Sequence, residues 1–173
     1  MQNHFELFQL SPRFALDRAA LDAGYREVQG QVHPDRFVNA TDAEKRTAMQ
    51  WAVRANDAYQ TLRSPMKRAA YLCELHGFGL QAESNTVMPM EFLMQQIEWR
   101  EKLEDARETK DVAALEALAS ELRGIRDRQL ERIEQLLDAQ VFAQAVQEVR
   151  QMMFVDKLDE DISFAFDALD STE

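Results

Sequence analysis

Residues 17–64 read DRAALDAGYREVQGQVHPDRFVNATDAEKRTAMQWAVRANDAYQTLRS, and the capping residues and breaks in this stretch decide the fold. Asp17 can accept hydrogen bonds from the free backbone N–H groups that open a helix. Leu21, Tyr25 and Val28 follow at steps of four and three, which places them on one helical face. Pro34 ends that helix at about Val32, because its ring removes a backbone donor and pushes the preceding residue out of the helical region. After a loop, Thr41-Asp42-Ala43-Glu44 has the S/T-x-x-E form of a capping box. It starts a second long helix through Trp51, Ala55, Ala58, Tyr59 and Leu62. The two helices pair antiparallel across a corner made by His33-Pro34-Asp35.

Working outward, Phe5, Leu7, Phe8 and Leu10 form a short apolar opening that stops at Ser11-Pro12. On the other side Ser64 can cap a fourth helix, with Pro65 at its first position, running Met66–His76 until Gly77 and Gly79. Residues 1–76 therefore read as one small domain, a long hairpin flanked by short helices. Residues 77–88, with Gly77, Gly79, Ser84, Asn85 and Thr86, read as a connector. Residues 89–173 read as a three-helix bundle. Met88-Pro89 opens its first helix, which runs to about Thr109. Asp111 caps the second, which carries Leu115, Leu118, Leu122, Ile125, Ile133 and Leu136 with Gln129 as an interruption. The third begins near Ala139 and runs towards Leu169. From Ile125 to Glu173 there is no Gly or Pro, and good helix formers dominate. The fold class is all-α.

Charge divides along the same line. Residues 1–83 hold ten Lys+Arg and ten Asp+Glu, whereas residues 84–173 hold ten and 21, so the second half carries the whole net charge of −11. Phosphate backbones demand clustered cations, which argues against a nucleic-acid partner. Cys73 is the only cysteine, so no internal disulfide or cysteine-only metal site can form. His4, His33 and His76 show no metal-ligand spacing, and no nucleophile motif or phosphate loop is present. Neither an enzyme nor a bound cofactor is expected. The first residues lack the basic start and apolar run of a signal peptide. No stretch approaches the roughly 18 apolar residues of a membrane span. A cytoplasmic protein is expected.

Two features remain for function. The proline corner holds His33 and Asp35 on stiff backbone with little entropy left to lose on binding; the bland alternative is a helix end followed by a turn. In the first bundle helix, at about 100° per residue, Phe92, Trp99, Leu103 and Ala106 share one stripe suited to a core. Met90, Leu93, Met94 and Ile97 gather on a second face, continued by Glu101 and Glu104 and flanked by Glu98. An apolar patch with an acidic border has the anatomy of a protein-docking site. Its alternative is a face covered by the first domain or used by a differently packed bundle. In the last helix Phe142, Ala145, Val149 and Met152 share a stripe, and Val155, Leu158, Ile162, Phe166 and Leu169 share a rotated one. Phe154 fits neither; it is exposed, or a kink near Met153 turns it inward.

These residues carry a resemblance. Asn3-His4-Phe5-Glu6-Leu7-Phe8, His33-Pro34-Asp35, and the run Asn56 to Pro65 followed by Arg68-Ala69-Ala70-Tyr71 resemble, in order and spacing, the J domain. That resemblance implies that His33, Pro34 and Asp35, with the basic neighbours Arg26 and Arg36, engage a DnaK-class chaperone and stimulate its ATP hydrolysis. The second helix of J domains usually carries several basic residues, and here Arg26 stands within it and Arg36 just beyond. The J domain first and acidic bundle second, with Phe92-Leu93-Met94 and Phe154-Val155-Asp156-Lys157-Leu158, is similar to the HscB family of bacterial iron–sulfur cluster assembly. The similarity spans essentially the whole chain. It implies a protein that binds the scaffold protein IscU and delivers it to the specialised chaperone HscA; a monomer is expected. Carried onto this sequence, the scaffold contacts are Leu93, Met94, Ile97, Glu98, Glu101, Glu104 and Phe154. The alternatives are a general J-type adaptor for the main DnaK chaperone, and a helical scaffold whose J region has lost its activity.

Overall fold

The structure, a computed structural model, describes residues 2–81 and 88–170. Ser84, Asn85 and Thr86 of the expected connector lie outside the described residues. The chain divides into two compact units, Met1–Leu72 and Cys73–Glu173.

The first unit begins with α1 (His4–Leu7), closed at its start by a reciprocal cap between Asn3 and Glu6. Helix α2 (Arg18–Val32) starts at Asp17, whose carboxylate accepts from the backbone N–H groups of Ala19 and Ala20 at 2.9 and 3.3 Å. A 3-10 turn, Pro34–Phe37, replaces the expected loop, and α3 (Asp42–Arg63) begins at the Thr41–Glu44 capping box. The last helix, α4 (Pro65–Leu75), runs across the boundary into the second unit. Phe5, Phe8, Leu21, Ala55, Ala58, Leu62 and Ala69 are buried. The alanines let α3 approach closely, and Gly24 does the same for α2: a Cβ there would lie 2.9 Å from Phe8 Cβ and 3.0 Å from its carbonyl oxygen. Tyr25 and Tyr59 stack at 4.2 Å across the hairpin, and the Tyr59 hydroxyl donates to Asp22. Trp51 is exposed despite its place in the inward spacing. Its ring sits at the lip of an open hollow between α1 and α2 and takes the Arg54 guanidinium 5.1 Å above its centroid.

Helix α4 ends as its glycine requires. Gly77 takes φ +86°, and the N–H groups of Gly77 and Phe78 return to the carbonyls of Glu74 and Cys73, both at 2.9 Å. Cys73 is wholly buried as a small core residue, and burial pushes its thiol up to about 11.

The second unit holds α5 (Met90–Thr109), α6 (Val112–Asp138) and α7 (Phe142–Asp170). Links this short fold consecutive helices back on one another. Both links close with the same hydrogen-bond pattern as Gly77, but with Lys110 (φ 53°) and Gln140 (φ 58°) in the left-handed position. The last helix therefore starts at Phe142 rather than near Ala139, which ends α6. Trp99, Leu103, Leu115, Leu118, Leu122, Val155, Leu158 and Ile162 belong to one core cluster. The rotated stripes of α7 reflect a change of partner. Val155 to Ala165 pack on α5 and the first half of α6. Upstream, Phe142 stacks on His76 at 3.9 Å, and Arg150 donates to the carbonyl oxygens of Gly79 and Leu80. Gln129, the interruption in α6, is buried and donates across to the Glu148 carbonyl at 3.1 Å.

Candidate protein-docking sites

The proline corner is folded by its own hydrogen bonds. His33 leaves α2 with φ −59° and ψ 133°, and its Nδ1 accepts from the Asp35 backbone N–H at 3.3 Å. With Nδ1 accepting, the ring proton sits on Nε2 and points away from the turn. Arg36 donates from Nη1 to the Gly30 carbonyl at 3.2 Å, tying the turn to the end of α2. Both the His33 and Asp35 side chains are exposed, at 58% and 86%, with the carboxylate 3.5 Å from the imidazole. Arg26 is exposed one and a half turns before the end of α2. The corner thus offers an exposed carboxylate and an imidazole N–H to a partner, with Arg26 exposed on the preceding helix. The expected chemistry of Arg36 needs refinement, since its guanidinium already satisfies a free carbonyl of α2.

On α5 the two faces separate. Trp99, Leu103 and Ala106 are buried, and Phe92 packs partly buried against the core. Met90 and Leu93 are exposed, as are Met94 and Ile97 at 57% and 56%. Glu98, Glu101 and Glu104 are exposed beside them, and Glu104 takes a hydrogen bond from Arg107 at 3.2 Å. Asp105, also exposed, continues the row Met94, Glu98, Glu101 at steps of four, three and four. The same spacing rule that picked its neighbours would have found it.

Helix α7 runs through Met153 without a break, and Phe154 is 43% exposed. Phe92 links it to the core, meeting Phe154 edge-on at 6.3 Å and Trp99 at 6.1 Å. Gln96, Trp99, Arg100, Phe154 and Leu158 line a small notch between α5 and α7. At about 100° per residue, Gln96 and Arg100 lie between the buried stripe and Leu93 and Ile97. Phe154 therefore borders the exposed face from its core side. Polar bonds hold the helices beneath. The Trp99 indole N–H donates to Glu121 at 3.0 Å and holds that carboxyl below its usual range, with Lys102 adding to the effect. Burial raises the Asp156 carboxyl against the opposing pull of Arg126, 3.4 Å away.

Among the described residues, no group of three or more His, Cys, Asp or Glu is arranged to hold a metal ion. No described helix is long and apolar enough to cross a membrane.

A family model for the HSCB C-terminal oligomerisation domain matches residues 88–163. The chain is 53% identical over 169 residues to the co-chaperone protein HscB homolog of Burkholderia multivorans, covering 98% of this chain and 97% of that one. It is 54% identical over 168 residues to the Burkholderia mallei homolog, covering 97% and 96%. Among solved structures it is similar to chaperone HscB from Vibrio cholerae, with a TM-score of 0.85, 34% identity and coverage of 97% and 99%. Human HscB gives a TM-score of 0.88 at 27% identity, covering 95% of this chain and 82% of that one. With the hairpin, the proline corner and the acidic bundle all in place, the chain belongs to the HscB family of co-chaperones.

Proposed function

We propose that this co-chaperone binds the iron–sulfur cluster scaffold protein IscU and delivers it to the DnaK-class chaperone HscA, whose ATP hydrolysis it stimulates. Residues 1–76 act as the J domain, presenting His33, Pro34 and Asp35 to the chaperone with Arg26 alongside. Residues 89–173 hold the scaffold through Leu93, Met94, Ile97 and Phe154, with Glu98, Glu101 and Glu104 on the border. The protein works in the cytoplasm.

The observation that carries this reading is the exposure of four apolar residues of α5, Met90, Leu93, Met94 and Ile97, on a helix whose opposite face is already buried. Apolar side chains left in water on a packed helix need another reason to be there, and a partner surface supplies it. Carboxylates at the edge of such a patch favour encounter and register more than raw affinity. Titration calorimetry against IscU tests the assignment. Replacing Leu93, Met94 and Ile97 together by Ala is expected to weaken binding at least tenfold with the melting temperature unchanged. A variant that melts early yet binds normally would assign that face to the core instead.

A further inference from the structure

We propose that Met90 and Met94 are oxidation sites on the docking face of α5, and that their conversion to sulfoxides by hydrogen peroxide weakens binding of the scaffold. The proposal rests on the reading of that face given above and adds a chemical control to it.

Exposure separates the methionines of this chain. Met90 is 71% exposed and Met94 57%, whereas Met152 is wholly buried in α7. Met66 and Met88 are half-buried. Met49, 70% exposed on α3, and Met153, 46% exposed on α7, are also open to solvent. Cysteine offers the oxidant no faster target. Cys73 is the only one, it is wholly buried, and burial pushes its thiol up to about 11, so the reactive thiolate is scarce. Peroxide therefore meets thioethers first, and the open ones before the covered ones.

The step is an oxygen transfer. A lone pair of the methionine sulfur attacks one oxygen of hydrogen peroxide, the O–O bond breaks, and that oxygen stays on sulfur as the sulfoxide. Sulfur is oxidised, and the other peroxide oxygen is reduced and leaves as water with both protons. A polar, chiral group then stands where an adaptable apolar one stood. Met90, Met94 and Ile97 follow one another at steps of four and three and share their exposed face with Leu93. A scaffold laying apolar side chains on that face would have to strip water from the new oxygens and leave them unpaired, which opposes docking. In the free chain the same oxygens stay hydrated, and the fold is not disturbed. Docking and oxidation therefore oppose each other, because a seated scaffold also covers the thioethers.

The experiment treats the full-length chain with hydrogen peroxide, removes the oxidant, and locates each added oxygen by mass spectrometry of its peptides. Calorimetry against IscU and thermal unfolding follow on the same samples. Met90 and Met94 are expected to be oxidised before Met66 and Met152, with the melting temperature unmoved. Binding of IscU is expected to weaken roughly tenfold, as for a polar group buried without a partner. Methionine sulfoxide reductases with a thiol reductant should restore it. IscU bound before treatment should slow oxidation of Met90 and Met94 but not of Met49, the control for consumed oxidant. The variant carrying Met90→Leu and Met94→Leu is compared only with its own untreated sample, and treatment should leave its affinity where it was. Wild-type affinity with both sites oxidised overturns the proposal. An equal loss in the double-Leu variant also overturns it, placing the lesion at another methionine. Equal slowing at Met49 overturns the shielding of these two sulfurs by the scaffold. Normal binding by the Leu93, Met94 and Ile97 triple-Ala variant removes the docking face, and this proposal with it.

Discussion

At the proline corner, His33 gives its Nδ1 lone pair to the Asp35 backbone while the Asp35 carboxylate remains 86% exposed. The imidazole thereby shapes the turn, and the carboxylate is left to meet a partner cation. Asp35→Asn is expected to abolish stimulation of the chaperone's ATPase with the unfolding midpoint unmoved, since exposed loop side chains contribute little to stability. His33→Gln is expected to do the same, with a slight loss of turn stability as its only structural trace. Steady-state hydrolysis beside thermal melts checks both. A second residue-level expectation concerns pH. Glu121 has its carboxyl depressed by the Trp99 N–H in the folded state. Its stabilisation is therefore complete above the unfolded pKa and is lost as pH falls through the lower folded value. Glu121→Gln keeps an acceptor for the indole but cannot titrate. Between about pH 5 and 3, its melting temperature is expected to fall less steeply than that of the wild type.

Each helix of the second unit divides its faces differently, and α5 gives the sharpest contrast. Trp99→Ala should destabilise the chain by about 3–5 kcal/mol, whereas Met94→Ala, on the exposed face, should shift the melt hardly at all. The links supply another test. Gln140 holds a left-handed backbone that glycine adopts without strain, so Gln140→Gly should stabilise the α6–α7 turn by about 1 kcal/mol. Gly24→Ala should destabilise the first unit, because the new methyl would press on Phe8 backbone that cannot move aside. The helices themselves were legible in the sequence. Asp17, Thr41, Pro65, Gly77 and Asp111 each mark a terminus by a rule that acts within one turn. What was not legible depends on partners remote in the chain. Gln140 ends a helix without the glycine that would announce it. Trp51 has the right spacing for the core, yet it lines an open hollow and takes the Arg54 guanidinium over its ring. Gln129 interrupts an apolar stripe only until the Glu148 carbonyl across the interface is known. For Phe154 the periodicity left two outcomes open, and the unbroken helix decides between them.

For the molecule as a whole, the proposed function follows from joining a slightly basic unit that carries the proline corner to an acidic unit that exposes an apolar helix face. Under the proposed function neither part alone delivers a client, because that reading assigns stimulation and client recognition to different residues. The fold was readable at this scale because both hairpins are built from local signals. The exposed apolar face of α5 was readable because helical geometry separates Leu93, Met94 and Ile97 from Trp99 and Leu103 before any partner is considered. The measurement that bears most directly on the central claim is steady-state ATP hydrolysis by HscA, with this chain alone and with IscU added. The chain is expected to raise the rate, and IscU to raise it further with the wild type but not with the Leu93, Met94 and Ile97 triple-Ala variant. A rate unchanged by the chain, or raised equally with and without IscU, would contradict that claim.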